Sequence, residues 1–247
     1  MNEALPGLEF ALQQEDPERL RKLNVDRTPE PVAFQVLAGL AVERVEHIGR
    51  APRILDVGCG EGSWGVGARR LWPDAHLMGI EPRDEAIPHA ARNYDRVVHG
   101  FFPGEMPETQ KFDLVIGNPP FSYKPPGKRK INLFPGFIRA ALKLLRTGGT
   151  LCFYATNDLG QRGLKTRELF DEHPPAIQLR VAGDVGHRGP KREGVKGSGE
   201  QDSRCYSGWV WVADGMGGTI SPADGWRARN LPELPRCDRK WVRIPGT

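Results

Sequence analysis

Only four cysteines occur in the 247 residues, Cys59, Cys152, Cys205 and Cys237, and none belongs to a C-x-x-C pair. That scatter speaks against a disulfide framework or a zinc site and for free thiols in a reducing compartment. No apolar run approaches the ~20 residues of a membrane-spanning helix. The opening MNEALPGLEF lacks the charged-then-apolar layout of a secretory signal. The expectation is a soluble, cytoplasmic protein with no membrane partner and no bound metal. Charge of one sign is modest, with a net value of +4, which is compatible with a polyanionic partner without specifying one. No internal repeat is present. What the chain does have is turn chemistry, in 30 glycines and 22 prolines, and a length that suits one α/β domain with extensions better than two full domains.

Apolar runs alternate with helical patterns along the chain. Seven stretches read as strands: 53–57, 76–81, 95–99, 112–116, 150–155, 177–181 and 206–212. Thr28-Pro29 predicts a helix start, with Thr28 as N-cap and Pro29 in the first helical position. Phe34, Leu37, Ala38, Ala41, Val42 and Val45 follow on one helical face. Further helices are predicted over 63–71, over 83–92 with a break or kink at Pro88, and over 164–170. Leu133, Phe134, Phe137, Ile138, Ala141, Leu142 and Leu145 mark another helical face, ended by Gly148-Gly149. This alternation predicts an α/β fold: a doubly wound, mostly parallel, seven-stranded Rossmann-like sheet with helices on both faces. Residues 28–213 form the expected domain, preceded by an N-terminal arm or helix over 1–27 and followed by a basic C-terminal extension over 214–247.

The turn Asp56-Val-Gly58-Cys-Gly60-Glu-Gly62 follows the first strand and opens a helix. Glycines let the backbone turn sharply and let a ligand approach it closely. Glu81 ends the next strand, about twenty residues on, where an acid accepts hydrogen bonds from ribose hydroxyls in nucleotide-binding sheets. No Lys-Ser/Thr pair follows the glycines, so a P-loop is excluded. Strand, turn, helix and acid in this order point to a nucleoside-containing cofactor. The stretch resembles motif I of class I S-adenosylmethionine-dependent methyltransferases, and Gly79-Ile-Glu81 resembles their second motif. The resemblance implies a methyltransferase sheet with S-adenosyl-L-methionine bordered by Asp56, Gly58 and Gly60, its ribose on Glu81. Cys59, inside the turn, reads as a small packing residue.

The fourth strand runs into Asn118-Pro119-Pro120-Phe121. A residue before proline is held extended, and each proline fixes its own φ. The result is a rigid platform at the carboxyl edge of the sheet, where open α/β sheets bind ligands. It aims two acceptors, the Asn118 side-chain oxygen and the Pro119 carbonyl, at one point. Together they suit a planar NH₂ group, with Phe121 as a flat face beside it. The turn resembles motif IV of amino-methyltransferases, which implies that Asn118, Pro119, Pro120 and Phe121 are the catalytic residues and that Asn118 also borders the cofactor.

Thr28-Pro29-Glu-Pro31 resembles motif X of adenine-N6 DNA methyltransferases with this order of motifs and implies that Thr28 closes over the methionine end of the cofactor. Leu159-Gly-Gln-Arg162, Leu169-Phe170, His173-Pro-Pro175, a Gly/basic loop and Tyr206-Ser-Gly-Trp-Val-Trp211 follow in an order similar to that of a compact group of phage and prophage DNA adenine methyltransferases, a resemblance that covers roughly Thr28 to Val212. One departure is Phe101, which stands after the third strand where the family often has an acid. Cofactor adenine is then expected to stack on Phe101 or to contact His99. Lys124, Lys128, Arg129 and Lys130, directly after the turn, and Arg188, Lys191 and Arg192 in a later Gly/basic loop make a phosphate-contacting rim. The expected partner is a nucleic acid, DNA foremost, with the target base flipped or single-stranded. The same amine-binding turn leaves RNA guanine-N2 and protein glutamine-N5 transfer as rivals. A degenerate cofactor-binding nucleic-acid module is the non-enzyme alternative.

Overall fold

The computed structural model describes residues 28–44, 46–104, 106, 109–123, 131–159, 163–181, 205–222 and 225–232. In chain order these form α1 (Glu30–Glu43), β1 (Arg53–Val57), α2 (Ser63–Leu71), β2 (His76–Glu81), α3 (Ile87–Ala90), β3 (Arg96–His99), β4 (Phe112–Gly117), β5 (Ser122–Tyr123), β6 (Ile131–Asn132), α4 (Phe134–Lys143), β7 (Leu145–Thr156), α5 (Gly163–Glu172), β8 (Ile177–Arg180), β9 (Tyr206–Val212) and β10 (Arg227–Asn230). One sheet of eight strands runs in the order β10-β8-β9-β7-β4-β1-β2-β3, and β5-β6 make a separate hairpin.

The central pairs β1-β2, β1-β4, β2-β3 and β4-β7 are parallel. Within the eight-stranded sheet of the described residues, β9 runs against its neighbours, antiparallel to both β7 and β8. Side chains on the central strands alternate between two apolar layers, as the period of two requires. Ile54, Leu77, Leu114 and Ile116 pack with Val36 and Leu37 of α1 and Ala68 of α2. Leu55, Val115, Leu151 and Phe153 pack on the other face with Phe134, Phe137 and Ile138 of α4. A parallel sheet covered on both faces is the doubly wound arrangement the sequence predicts.

Four expectations need correction. The sheet has an eighth strand: β10 pairs parallel with β8, within the segment expected as an extension beyond the sheet. Its Arg227 and Arg229 both ion-pair with Glu43 at the end of α1, so charge pairing rather than an apolar pattern marks this strand. The buried face of α1 is Val32, Ala33, Gln35, Val36, Leu37 and Leu40, while Val42 is exposed and the Phe34 ring lies under the Arg70 guanidinium at 4.0 Å. Gly148-Gly149 do not end a helix. They lie inside β7, where the pairing with β4 shifts register between Phe112 and Leu114. Finally, α1 starts at Glu30 with Pro29 as N-cap and no side-chain cap bond, so Thr28 is not the cap.

Candidate active site

The carboxyl ends of β1, β2, β3 and β4 are brought level by their pairing, with Asp56 beside Gly79 and Ile116, and Glu81 beside His99. Every motif singled out in the first half of the sequence therefore opens on one edge. The glycine turn is built on positive backbone φ values, 73° at Gly58, 56° at Gly60 and 101° at Gly62, a region other residues enter only at a cost. Gly58 and Cys59 donate their N–H groups to the Ile80 carbonyl at 2.9 and 3.0 Å, which ties the turn to β2.

Glu81 is buried, and the structure shows what holds it. One carboxylate oxygen accepts the Gly60 N–H at 2.9 Å. The other accepts the Arg83 backbone N–H at 3.2 Å and its side-chain Nε–H at 2.6 Å. A Cβ at Gly60 would meet Arg83 Nη2 at 3.5 Å, so the guanidinium lies over the glycine turn. Arg83 had no sequence signal of its own, since a lone arginine after a strand reads as surface.

Asp56 is fully buried on β1. Oδ2 accepts a short hydrogen bond from the Tyr94 hydroxyl. Oδ1 is buried with no hydrogen-bond partner among the described residues. Burial raises its pKa to about 7, the Tyr94 bond opposing and the nearby Glu81 charge adding to the shift. Tyr94, itself buried, fits beneath the turn because glycine occupies 65 and 79: a Cβ at Gly65 would lie 2.5 Å from its ring. An Asp ionises near 4 when unfolded, so between pH 4 and 7 the folded protein keeps a proton that the unfolded chain releases. Stability from this group is full at the acid end and is lost as pH rises through 7. Asp56→Asn should therefore gain on wild type across that window, by at most about 1.4 kcal/mol per pH unit. Urea unfolding at a series of pH values reads this, and a pH-independent gap between the two proteins would refute it.

Asn118 follows Gly117, whose φ is 147°. A Cβ there would sit 2.5 Å from the Val57 carbonyl oxygen and 3.2 Å from Asp56 Oδ1. Glycine thus lets the end of β4 lie directly against the end of β1. Pro119 is buried, and its Cα would be 3.9 Å from a Cβ on Gly58, so the proline platform abuts the glycine turn. Phe121 is half-buried, its ring 5.1 Å from that of Phe134, and its carbonyl accepts the Leu133 N–H at 3.0 Å. The Asn118 side chain donates from Nδ2 to Thr28 Oγ1 at 3.2 Å.

Phe101 is half-buried one residue after Gly100, whose N–H bonds the Glu81 carbonyl at 3.1 Å, which places it beside Glu81 at the same edge. His99 Nε2 instead lies 3.1 Å from both the Pro82 carbonyl and Asp84 Oδ1, tying down the loop after β2. Cys59 is buried against Gly79, with its thiol pKa pushed far up by burial, as suits a packing residue. Lys124, Lys128, Arg129, Lys130, Arg188, Lys191 and Arg192 lie outside the described residues. Among the described residues no three His, Cys, Asp or Glu side chains gather as metal ligands, and no helix is long and apolar enough to cross a membrane.

The edge fits S-adenosylmethionine. It offers a glycine turn whose Gly58 and Gly60 are partly exposed, a buried carboxylate beside that turn at Glu81, and a carboxylate oxygen at Asp56 without a partner among the described residues that a ligand N–H or O–H group would complete. Comparison with known proteins agrees. A family model described as the methyltransferase small domain matches residues 38–176. A release factor glutamine methyltransferase of Geobacter sulfurreducens is 35% identical over 94 residues, covering 35% of this chain and 31% of that protein. A type II methyltransferase of Paramecium bursaria Chlorella virus XZ-6E is 33% identical over 76 residues, 30% of this chain and 20% of that protein. The chain thus spans less than a third of the length of either relative. The crystal structure of a protein assigned to the class I S-adenosylmethionine-dependent methyltransferases, from Listeria monocytogenes, superposes with a TM-score of 0.62 at 15% identity, covering 89% of this chain and 75% of that one. The fold is that of the class I enzymes and the cofactor is S-adenosylmethionine. Since the family model takes in more than half of the 247 residues, from the glycine turn through the proline platform, the chain belongs to the methyltransferase small domain family.

Proposed function

We propose that the protein methylates the exocyclic N6 amine of adenine in DNA, with Asn118, Pro119, Pro120 and Phe121 as its catalytic residues. The observation that carries this reading is the Asn118 amide, held through its nitrogen by Thr28 on a platform packed against the glycine turn. With the nitrogen held, the carbonyl oxygen is the part of the amide turned away from Thr28. That oxygen and the Pro119 carbonyl are two acceptors for one NH₂ group. The bound cofactor supplies an electrophilic methyl group. The chain's own work is to draw the amine hydrogens out of the ring plane, which localises a lone pair otherwise delocalised into the base, and to hold that nitrogen for in-line attack. Phe121 gives the ring a stacking face.

Thr28, Asp56, Gly58, Gly60, Glu81 and Phe101 are the proposed cofactor contacts, and the basic residues at 124–130 and 188–192 the proposed phosphate rim. Support for DNA comes from the Thr28-Pro29 segment ahead of the glycine turn and from the partial match to a viral type II methyltransferase. Isotope-labelled S-adenosylmethionine, offered with unmethylated genomic DNA, bulk RNA and total protein in separate reactions, tests the proposal. Label should enter DNA and be recovered as N6-methyladenine. Label found only in RNA or only in protein would transfer the same amine chemistry to guanine N2 or glutamine N5 and end the DNA reading.

A further inference from the structure

The glycine turn, Glu81 and Phe101 follow β1, β2 and β3, on one side of Asn118. On the other side the sheet continues through β7, β9 and β8, which leaves that half of the carboxyl edge for the substrate. One row of paired residues crosses it. Ala155 of β7 pairs with Ser207 of β9, and Ser207 with Arg180 of β8. Gly117 pairs with Phe153, so the row lies two residues nearer the carboxyl edge, level with the proline platform. Directly paired residues share a face of the sheet, and Ala155 belongs to the apolar layer on which Phe121 packs. Arg180 is therefore on the Phe121 side. Three strand spacings of about 4.8 Å put it roughly 14 Å from the platform.

Arg180 is exposed, yet it is held. Its Nε–H donates to Gln178 Oε1 at 3.2 Å, and Gln178 Nε2 donates to the Asn157 carbonyl at 3.2 Å. A guanidinium only donates and a backbone carbonyl only accepts, so the Gln178 amide is fixed in one orientation. Gln178 is 1% exposed, and a buried amide is costly unless its polar ends are bonded. Arg83, Arg139 and Arg227 are held instead by the carboxylates of Glu81, Glu172 and Glu43. A carboxylate cancels the charge it holds. An amide holds Arg180 without cancelling it, and the bond uses Nε alone, which leaves both Nη groups for a ligand.

We infer that Arg180, positioned by Gln178, is a preset phosphate contact for the DNA strand that carries the target base. What it recognises is the phosphodiester backbone, whatever the base sequence. The separation of roughly 14 Å spans about four nucleotides of one strand at about 3.4 Å each, so the contacted phosphate is near the target and not on it. The inference rests on the reading of the protein as acting on DNA and adds a grip on the sheet itself to the basic rim proposed at 124–130 and 188–192.

The test uses the full chain with S-adenosylhomocysteine and a fluorescein-labelled, random-sequence DNA duplex, with affinity read by anisotropy between about 50 and 200 mM salt. Arg180→Gln should make the slope of log affinity against log salt shallower by about 0.9, the share of one phosphate. Arg180→Lys should keep the slope. Gln178→Met retains the charge and removes the hold, so the slope should stay while affinity falls about 2- to 10-fold, the scale of ordering one long side chain. Arg50→Gln makes the same charge change at an exposed residue just ahead of β1, at the opposite edge of the sheet, and should alter neither. S-adenosylhomocysteine affinity should stay at the wild-type level in all four. An unchanged slope in Arg180→Gln, an equal loss in Arg50→Gln, or wild-type DNA affinity in Gln178→Met would overturn the inference. Wild-type binding to RNA of the same length with none to DNA would overturn it together with the DNA reading. A slope that falls in Arg180→Gln alone, while no methyl group enters DNA, would sustain the phosphate contact and overturn only the proposed reaction.

Discussion

Asn118→Ala should lower methyl transfer about 10³-fold, the scale on which removal of one preorganised transition-state partner acts, and should leave S-adenosylhomocysteine binding within about threefold. Both halves follow from position. The side chain stands beyond β4, on a turn whose backbone is fixed by two prolines and by the contact of Pro119 with Gly58. Truncation removes an acceptor without disturbing the glycine cradle. It also frees the Thr28 hydroxyl, one bond still held by Trp64, so little strain is passed to α1. Single-turnover rates and calorimetric titration separate the two effects. Loss of cofactor affinity on the same scale as rate would mean that Asn118 holds the cofactor and not the amine.

The second large effect is expected at Glu81. Its two oxygens organise the edge from within, one holding Gly60 and the other Arg83. Glu81→Ala removes the proposed ribose acceptor, for which a charge-assisted bond of about 1.5–3 kcal/mol implies a 10- to 100-fold weaker S-adenosylhomocysteine. It also leaves a guanidinium that is only 12% exposed without its partner, at a cost of about 2–4 kcal/mol in urea unfolding. Glu81→Gln separates the two: it keeps the shape and an acceptor but lacks the charge that Arg83 needs. Stability lost in both variants with cofactor affinity intact would make Glu81 an anchor for Arg83 alone.

The layered fold was legible because its cause is local. Alternating apolar residues such as Ile54 and Leu55 face opposite layers, and the glycine turn and proline platform carry their backbone geometry in their residue types. What was not legible depended on distant partners. Tyr94 reads as a loop aromatic until glycines at 65 and 79 are found to make room for it. Arg83 and Trp64 are ordinary in sequence, and only the folded edge sets them against Glu81 and Thr28. Thr28 itself drew a cap assignment from its neighbour Pro29, and a bond across the molecule prevailed. β10 was missed because Arg-Ala-Arg-Asn has no apolar alternation. It holds its place by backbone pairing to β8 and by the charge of Glu43.

The place of β9 has a consequence for how the molecule is made. Parallel strands β3-β2-β1-β4-β7 can be laid down as the chain emerges, each beside one already present. β9 lies between β7 and β8, with Thr150 opposite Val212. On a ribosome, therefore, β7 presents a bare flank and β8 has no neighbour until residues 206–212 have been synthesised. The edge that carries Asp56, Glu81 and Asn118 belongs to the early half of this sequence of events, while the closure of the sheet waits on a late, long-range pairing of the kind that folds slowly and exposes sticky strand edges meanwhile.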